Sequence, residues 1–365
     1  MTVQAAFECG NIVLESETAS DVALLIRPDT NAEYFQWFYF GDVNPPSGIA
    51  RTYRIYNAGG ASYPRAWVRY NVLASYDGTS WFRIPTHFDG SHLAWTHKAD
   101  GRDVLFAFFV PYGEQRREAL MEEAGKTSIV KRKLLGSTTQ GRKLDLLVFG
   151  DETRPNAKTI WVVSRQHAGE PMAEYATEGF IRHLLDSTDA IARQLLSKAT
   201  VYVVPNMNPD GSAAGNLRAN AQGVDLNRVW HEPGDNAPEV QAVVSAIAKT
   251  GCDYFIDMHG DETRPFIWLI NPAAEMNPEQ KKIHEAFESF LSSKHPELAP
   301  PPEEILKGTA PAVGMSINYM FRTYQSYGWI VELPFCEPSQ GDTLLEEGCM
   351  AFGHNCVDAL AHVIE

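Results

Sequence analysis

Two residues three apart, His167 and Glu170, stand in the stretch Arg165-Gln-His-Ala-Gly-Glu-Pro171. An imidazole nitrogen and a carboxylate oxygen at this spacing can share one zinc ion. A third donor must come from elsewhere. His259 is the candidate, at the tip of the apolar run Asp253-Tyr-Phe-Ile-Asp-Met-His259 and followed at once by Gly260. Alone, His259 reads more plainly as a satisfied histidine at a strand end. Taken with His167 and Glu170, the metal reading explains both placements. Two histidines and one carboxylate leave a fourth position for water, the layout of a catalytic zinc site rather than a structural one.

Between these two motifs lies an Asn/Gly/Pro-rich segment that carries Arg218 and then Asp225-Leu-Asn-Arg228. A guanidinium grips a carboxylate with two parallel hydrogen bonds. Arg218 and Arg228 are therefore candidate anion-binding groups, and Asn227 adds a neutral donor. Asp225 is suited to accept from the second nitrogen of a metal-binding histidine and so fix its tautomer. The last candidate is Glu332, near the end of Tyr327-Gly-Trp-Ile-Val-Glu-Leu-Pro334. A carboxylate in so apolar a run costs desolvation energy unless it is paired or used. Partial burial raises its pKa toward neutrality, which suits a general base.

These side chains need a frame. The run Thr159–Ser164 reads as a buried strand and 171–186 as an amphipathic helix, so His167 and Glu170 fall in a strand-to-helix turn. Ligands of open α/β sheets gather there, outside the carboxyl ends of the strands. Further strands are expected at 128–135, 143–149, 200–205, 253–258, 266–270 and 328–333, and helices at 189–197, 237–249, 278–293 and 342–364. This alternation predicts an α/β fold, a mixed, mostly parallel sheet covered by helices, over residues 111–365. Residues 1–110 have another texture. Short aromatic and β-branched runs at 11–14, 22–26, 34–40, 51–56, 66–70 and 104–109, separated by turn residues, predict an antiparallel β-sandwich domain. The charged run beginning near Val110 predicts a helix at the boundary. Pro296–Pro302 reads as a surface loop, and His87, His92 and His97 read as structural or solvated.

Composition narrows the function classes. The formal net charge of −15 argues against nucleic acid and anionic membrane as partners. No run is apolar enough to span a bilayer, and the N-terminus lacks the pattern of a secretory signal. The cysteines, Cys9, Cys252, Cys336, Cys349 and Cys356, are scattered and lack paired spacing. They read as buried, reduced thiols of a cytoplasmic protein.

In order along the chain, the motifs are His-x-x-Glu, Arg, Asp-x-Asn-Arg, strand-His and strand-Glu. The set resembles the zinc metallocarboxypeptidases of the carboxypeptidase A type. Gln166-His-Ala-Gly-Glu-Pro-Met-Ala-Glu174, Asn206-Met-Asn-Pro-Asp-Gly211 and Asp257-Met-His-Gly260 are similar to the cytosolic carboxypeptidase branch, which also carries a β-domain ahead of the catalytic domain. The resemblance implies one zinc per chain, held by His167, Glu170 and His259, and a peptide or protein C-terminal tail as substrate. It implies that Glu332 takes a proton from the attacking water and delivers it to the leaving amine, that Asn227 and Arg228 hold the terminal carboxylate, that Arg218 stabilises the oxyanion, and that Asp225 supports a zinc ligand. The family's mobile-loop tyrosine is not singled out, since Tyr319, Tyr324 and Tyr327 compete. Arg264 is a candidate reader of a glutamate side chain, but with Asp261 and Glu262 beside it a surface ion pair is the plainer reading. Two alternatives stand beside this one: a zinc-dependent N-acyl amino acid deacylase of the aspartoacylase and succinylglutamate desuccinylase type, and a catalytically silent tail-binding protein. The first expects a β-domain after the catalytic Glu, where this chain shows a single helix; the second expects a broken ligand set. Oligomeric state is left open.

Overall fold

The structure is a computed structural model that describes residues 2–98, 100–272, 275–301, 312–336 and 345–364. Ten strands come first: β1 (Val3–Gln4), β2 (Val13–Glu17), β3 (Asp21–Leu25), β4 (Tyr39–Asp42), β5 (Ala50–Ile55), β6 (Val72–Ser75), β7 (Trp81–Ile84), β8 (Thr86–Phe88), β9 (Leu93–Lys98) and β10 (Val104–Ala107). They form two five-stranded sheets, ordered β1-β4-β10-β6-β7 and β2-β3-β5-β9-β8. Alternating strands bury one face of each. Phe40 and Phe106 of the first sheet meet Tyr53 and Trp95 of the second, with the Tyr53 and Trp95 rings stacked 5.4 Å apart. The pairing is antiparallel except that β3 and β5 run parallel.

Two expectations for this region need correction. Residues 66–70 form no strand: Pro64–Arg69 is a 3₁₀ helix. Pro64 presets its first turn, and Trp67 and Tyr70, three apart, both turn inward onto Phe38 and Phe108. Aromatic enrichment mimicked a strand there. Within 34–40 only Tyr39 and Phe40 join a ladder. His97 bonds Tyr76 Oη at 2.8 Å, and His92 sits 3.0 Å from Asp89.

The third sheet has seven strands: β11 (Val130–Ser137), β12 (Lys143–Phe149), β13 (Lys158–Ser164), β14 (Ala199–Val204), β15 (Tyr254–Asp261), β16 (Trp268–Ile270) and β17 (Tyr327–Pro334). Their order is β11-β12-β14-β13-β15-β17-β16. The central four, β14, β13, β15 and β17, are parallel, and antiparallel strands close both edges. Central strands covered on both faces need unbroken apolar runs, as Ile160–Val163 and Val201–Val204 supply. The helices are α1 (Glu114–Gly125), α2 (Pro171–Leu185), α3 (Ala190–Lys198), α4 (Pro209–Ala214), α5 (Pro238–Thr250), α6 (Pro278–Lys294), α7 (Ser316–Tyr324) and α8 (Glu346–Val363). Proline opens α2, α4, α5 and α6, where its missing N–H costs nothing. Helices α4 and α7 were not expected; α4 is a short turn inside the Asn/Gly/Pro segment. Residues 342–344 of the last expected helix, and Pro302, lie outside the described residues.

Helices α2 and α8 touch backbone to backbone. A Cβ on Gly179 would lie 1.9 Å from the Met350 carbonyl oxygen, and one on Gly353 would lie 1.7 Å from that of Ala176. Only glycine permits this approach, which seats the C-terminal helix against the helix that begins at Glu170.

One buried carboxyl outside the strand tips has a clear thermodynamic signature. Glu239, in the first turn of α5, is fully buried and accepts from Asn220 Nδ2 at 3.2 Å. Burial, reinforced by nearby Asp210, pushes its pKa up to about 7. The folded state thus prefers the protonated form, so the stability it contributes is full below the unfolded value of about 4.5 and is lost as pH rises through 7. Between pH 5 and pH 8 the parent should lose about 2–3 kcal/mol more stability than Glu239→Gln. Urea unfolding at both pH values checks this; equal losses would contradict it.

Candidate active site

The turn after β13 is strained and tied down. Arg165 adopts a left-handed backbone, φ 54°, and its N–H donates to the Met258 carbonyl on β15. A non-glycine residue there costs roughly 1–2 kcal/mol. The Arg165 guanidinium offsets it by donating to the carbonyls of Ala168 (3.0 Å) and Tyr112 (2.7 Å) and to Glu174 (2.7 Å), all buried. Gly169 donates to the Leu217 carbonyl at 2.6 Å, and a Cβ on it would lie 2.8 Å from that same oxygen. The strand-to-helix turn is thereby docked on the 217–219 segment.

This turn aims His167 and Glu170 at β15. His167 Nδ1 lies 2.7 Å from Glu170 Oε1, and His259 Nδ1 lies 2.9 Å from Glu170 Oε2. The two Nδ1 atoms are 3.2 Å apart. On the far side of each ring a carboxylate waits: Asp225 Oδ1 is 3.1 Å from His167 Nε2, and Asp257 Oδ1 is 3.1 Å from His259 Nε2. All three residues are buried, and their ligand atoms lie within 4.8 Å of one another. Burial pushes the Glu170 carboxyl up, but His167 and His259 outweigh it and hold it at about 2. Burial pushes His259 down, yet Asp257 and Glu170 together raise it well above the usual range.

Glu332 is aligned with His259 in the β15–β17 register. It stays partly open to solvent. Desolvation pushes its carboxyl well above the usual range; His259 opposes the shift, while Glu170, Asp261 and Glu262 add to it, and none of these acts by a hydrogen bond. Glu262, which the sequence reading weighed only as a neighbour of Arg264, is buried and is also raised by burial and by Glu170.

The loop from Asn206 to Arg228 supplies the remaining groups. Arg218 Nε donates to Asp225 Oδ2 at 2.6 Å, and its Nη1 donates to Tyr63 Oη at 2.9 Å. Desolvation, His167 and Arg218 act on Asp225 in that loop; burial raises its pKa, but the cations and hydrogen bonds leave it well below the usual range. Asn227 turns its Nδ2 toward His259 Nε2, 3.3 Å away, and accepts from the Ser316 N–H at 2.8 Å. Arg228 is nearly half exposed, its Nη1 donating to the Asn227 carbonyl at 2.8 Å.

Two partners of this loop come from segments between the N-terminal strands and carry no motif. Asp29, buried, accepts from three consecutive N–H groups: Leu217 (2.5 Å), Arg218 (2.7 Å) and Ala219 (2.8 Å). Tyr63 reaches Arg218 as described. Each bridges more than 150 residues of sequence, so no local pattern exposes it. Tyr319 and Tyr324 lie on α7, where Tyr319 packs near Trp230; Tyr327 opens β17 and stacks on Tyr254. Arg264 pairs with Asp261 Oδ2 at 2.8 Å and lies over the Trp268 ring, the ion-pair reading.

Comparison with known proteins points to one family. Residues 3–109 match the cytosolic carboxypeptidase N-terminal domain, and residues 118–337 match the zinc carboxypeptidase family. An uncharacterized protein of Zymomonas mobilis is 32% identical over the whole chain and 97% of its own length. Cytosolic carboxypeptidase 6 of Caenorhabditis elegans is 29% identical over 74% of this chain, which spans 64% of that protein. Among solved structures, a metallo-carboxypeptidase from Burkholderia cenocepacia superposes with a TM-score of 0.93 at 33% identity, covering 99% of this chain and 98% of that one. A metallo-carboxypeptidase from Pseudomonas aeruginosa, solved with (2-guanidinoethylmercapto)succinic acid, gives 0.92 at 33% identity, covering 99% and 98%. Both matched families are carboxypeptidase families, so the deacylase alternative is not favoured. The chain belongs to the zinc carboxypeptidase family and is a metallocarboxypeptidase with a cytosolic carboxypeptidase N-terminal domain.

Proposed function

We propose that this enzyme hydrolyses the C-terminal peptide bond of peptides or protein tails, with one zinc held by His167, Glu170 and His259 and with Glu332 as the proton carrier. The observation that carries the reading is a crowd of acceptors. If each ring carries its proton on Nε2, the nitrogen that faces Asp225 or Asp257, both Nδ1 lone pairs point inward, 3.2 Å apart, beside two Glu170 oxygens. Buried acceptors without a shared donor repel. Two neutral imidazoles and one carboxylate, each backed by an outer partner, fit a divalent zinc.

When bound, zinc supplies Lewis acidity that polarises the scissile carbonyl and makes water a better nucleophile. Glu332 accepts a proton from water as its oxygen attacks the carbonyl carbon. It then delivers that proton to the leaving nitrogen as the C–N bond breaks, leaving a new carboxylate and a free amino acid. Its elevated pKa suits both halves of this cycle. Arg218, kept charged by Asp225 and steered by Tyr63, faces the developing oxyanion, a role typically worth roughly 3–4 kcal/mol. Asn227 and Arg228 receive the terminal carboxylate. Most of that attraction falls to Arg228, whose side chain is nearly half exposed.

We further infer that residues 1–110 form a domain that shapes the rim of the catalytic domain, 111–365, by holding the Arg218 loop. The five free, buried thiols and the naming of the relatives favour a cytoplasmic setting. No described helix is long and apolar enough to cross a membrane.

Offered peptides with free C-termini, the zinc-loaded enzyme should release the terminal residue, and the same peptides amidated should resist. Glu332→Gln should lower kcat by about 10²–10⁴ with zinc content unchanged. Full activity in Glu332→Gln, or cleavage of amidated and free peptides alike, would sink the assignment. Chelation should abolish turnover and added zinc restore it. Asp29→Ala leaves the metal ligands intact but frees three N–H groups. It should cut kcat/KM by about 10–100-fold, in line with a misplaced catalytic group. Unchanged kinetics in a folded Asp29→Ala enzyme would remove the proposed role of the N-terminal domain.

A further inference from the structure

We propose that His183, His354 and Asp358 form a second divalent-metal site, remote in function from catalysis, that clamps the C-terminal helix α8 to α2. His183 lies in the last turn of α2, and His354 and Asp358 stand one turn apart on α8. The glycine contact at Gly179 and Gly353 brings these faces together.

The hydrogen bonding of His183 points outward from its ring to a missing partner class. Its Nδ1 donates to the His354 carbonyl at 3.0 Å. In the neutral ring this leaves a lone pair on Nε2, the tautomer a metal requires, fixed in the usual way by a backbone carbonyl. Nε2 faces two carboxylate oxygens, Asp189 Oδ1 at 3.2 Å and Asp358 Oδ1 at 3.7 Å, and closes a hydrogen bond with neither. Asp189 Oδ1 already caps α3, accepting from the Ile191 and Ala192 N–H groups at 2.8 Å each. Asp358 Oδ1 is buried and has no hydrogen-bond partner. His183 itself is only 3% exposed. With no proton on Nε2, three acceptors converge on one point here.

What favours a metal is proximity. One ligand atom from each of His183, His354 and Asp358 lies within 4.8 Å of the others. The two imidazoles are stacked face to face, with centroids 3.6 Å apart and planes 5° apart, so their in-plane lone pairs meet at one ion only once His354 turns out of the stack. Zinc with bonds of about 2.0–2.2 Å draws such ligands to roughly 3.3 Å from each other. The exposed His354 side chain can make that adjustment and opens the site to solvent. Two imidazoles and one carboxylate select borderline cations, Zn²⁺, Ni²⁺ or Cu²⁺, over Mg²⁺ or Ca²⁺. Water fills the fourth position. Because the ligands span two helices, the ion binds the folded state and stabilises it.

The test compares the full-length parent with the double variant His354→Ala, Asp358→Asn, which spares the buried His183. Both are equilibrated with buffered free Zn²⁺, then assayed for zinc per chain, thermal midpoint and peptidase activity. The parent should hold one more zinc per chain than the double variant, and only the parent should show the corresponding zinc-dependent rise in midpoint, with peptide turnover equal in both. Because the readout is a difference, it is independent of the catalytic-site assignment. The same zinc count in both proteins would overturn the proposal. A parallel titration with Mg²⁺ should give no rise; an equal rise would overturn the ligand class.

Discussion

Buried acceptors facing one another impose the constraint on which this structure turns. Glu170 places both its oxygens within 2.9 Å of imidazole nitrogens, and those nitrogens are 3.2 Å apart. Such a cluster calls for a proton or a cation shared among its members. Every surrounding element serves to hold it in register. Parallel pairing of β13 with β15 brings the turn after Ser164 beside His259. Pairing of β15 with β17 sets Glu332 next to His259. Asp225 and Asp257 face the rings from outside, and Arg218 balances the negative charge.

The N-terminal sheets enter the same electrostatic problem from the side. Their contribution is chiefly Asp29, whose carboxyl is pushed up by burial while three backbone N–H groups pull the other way. It takes up donors that the loop bearing Arg218 would otherwise leave unmatched, and unmatched buried donors cost about 1–3 kcal/mol each. Asn11, Thr30 and Asn31 add bonds to Gly215, Asn216 and Ala221. Gly215 and Gly223, both at positive φ, let the loop pass close to the Gly10 and Asn31 carbonyls. The loop that bears Arg218 is therefore shaped as much by residues 10–31 as by its own sequence.

The site was legible where polar residues interrupt apolar runs. His259 and Glu332 stand out because a charged or ionisable tip on a buried strand demands an explanation, and the Pro171 helix start marks the turn holding Glu170. The central strands were legible because burial on both faces needs long apolar runs. Asp29 and Tyr63 were invisible, since their partners are distant in sequence and an aspartate or tyrosine near turns is commonplace. Residues 64–69 misled because aromatic content signals a buried surface rather than a strand as such. Helix α4 hid in Asn/Gly/Pro chemistry that equally describes a loop, although its Asn208 side chain caps it locally at Gly211. The second histidine cluster was missed because its members fall on two helices 171 residues apart, with only His354 and Asp358 at a readable spacing.

The central claim is that His167, Glu170 and His259 hold zinc. A crystal of the zinc-loaded enzyme, measured on both sides of the zinc absorption edge, tests it most directly. The account predicts an anomalous peak at about 2.0–2.2 Å from both Nδ1 atoms and a Glu170 oxygen, with the remaining position open toward Glu332. A zinc-replete crystal with no peak among these three residues, or with the two rings bridged to other groups, would contradict it.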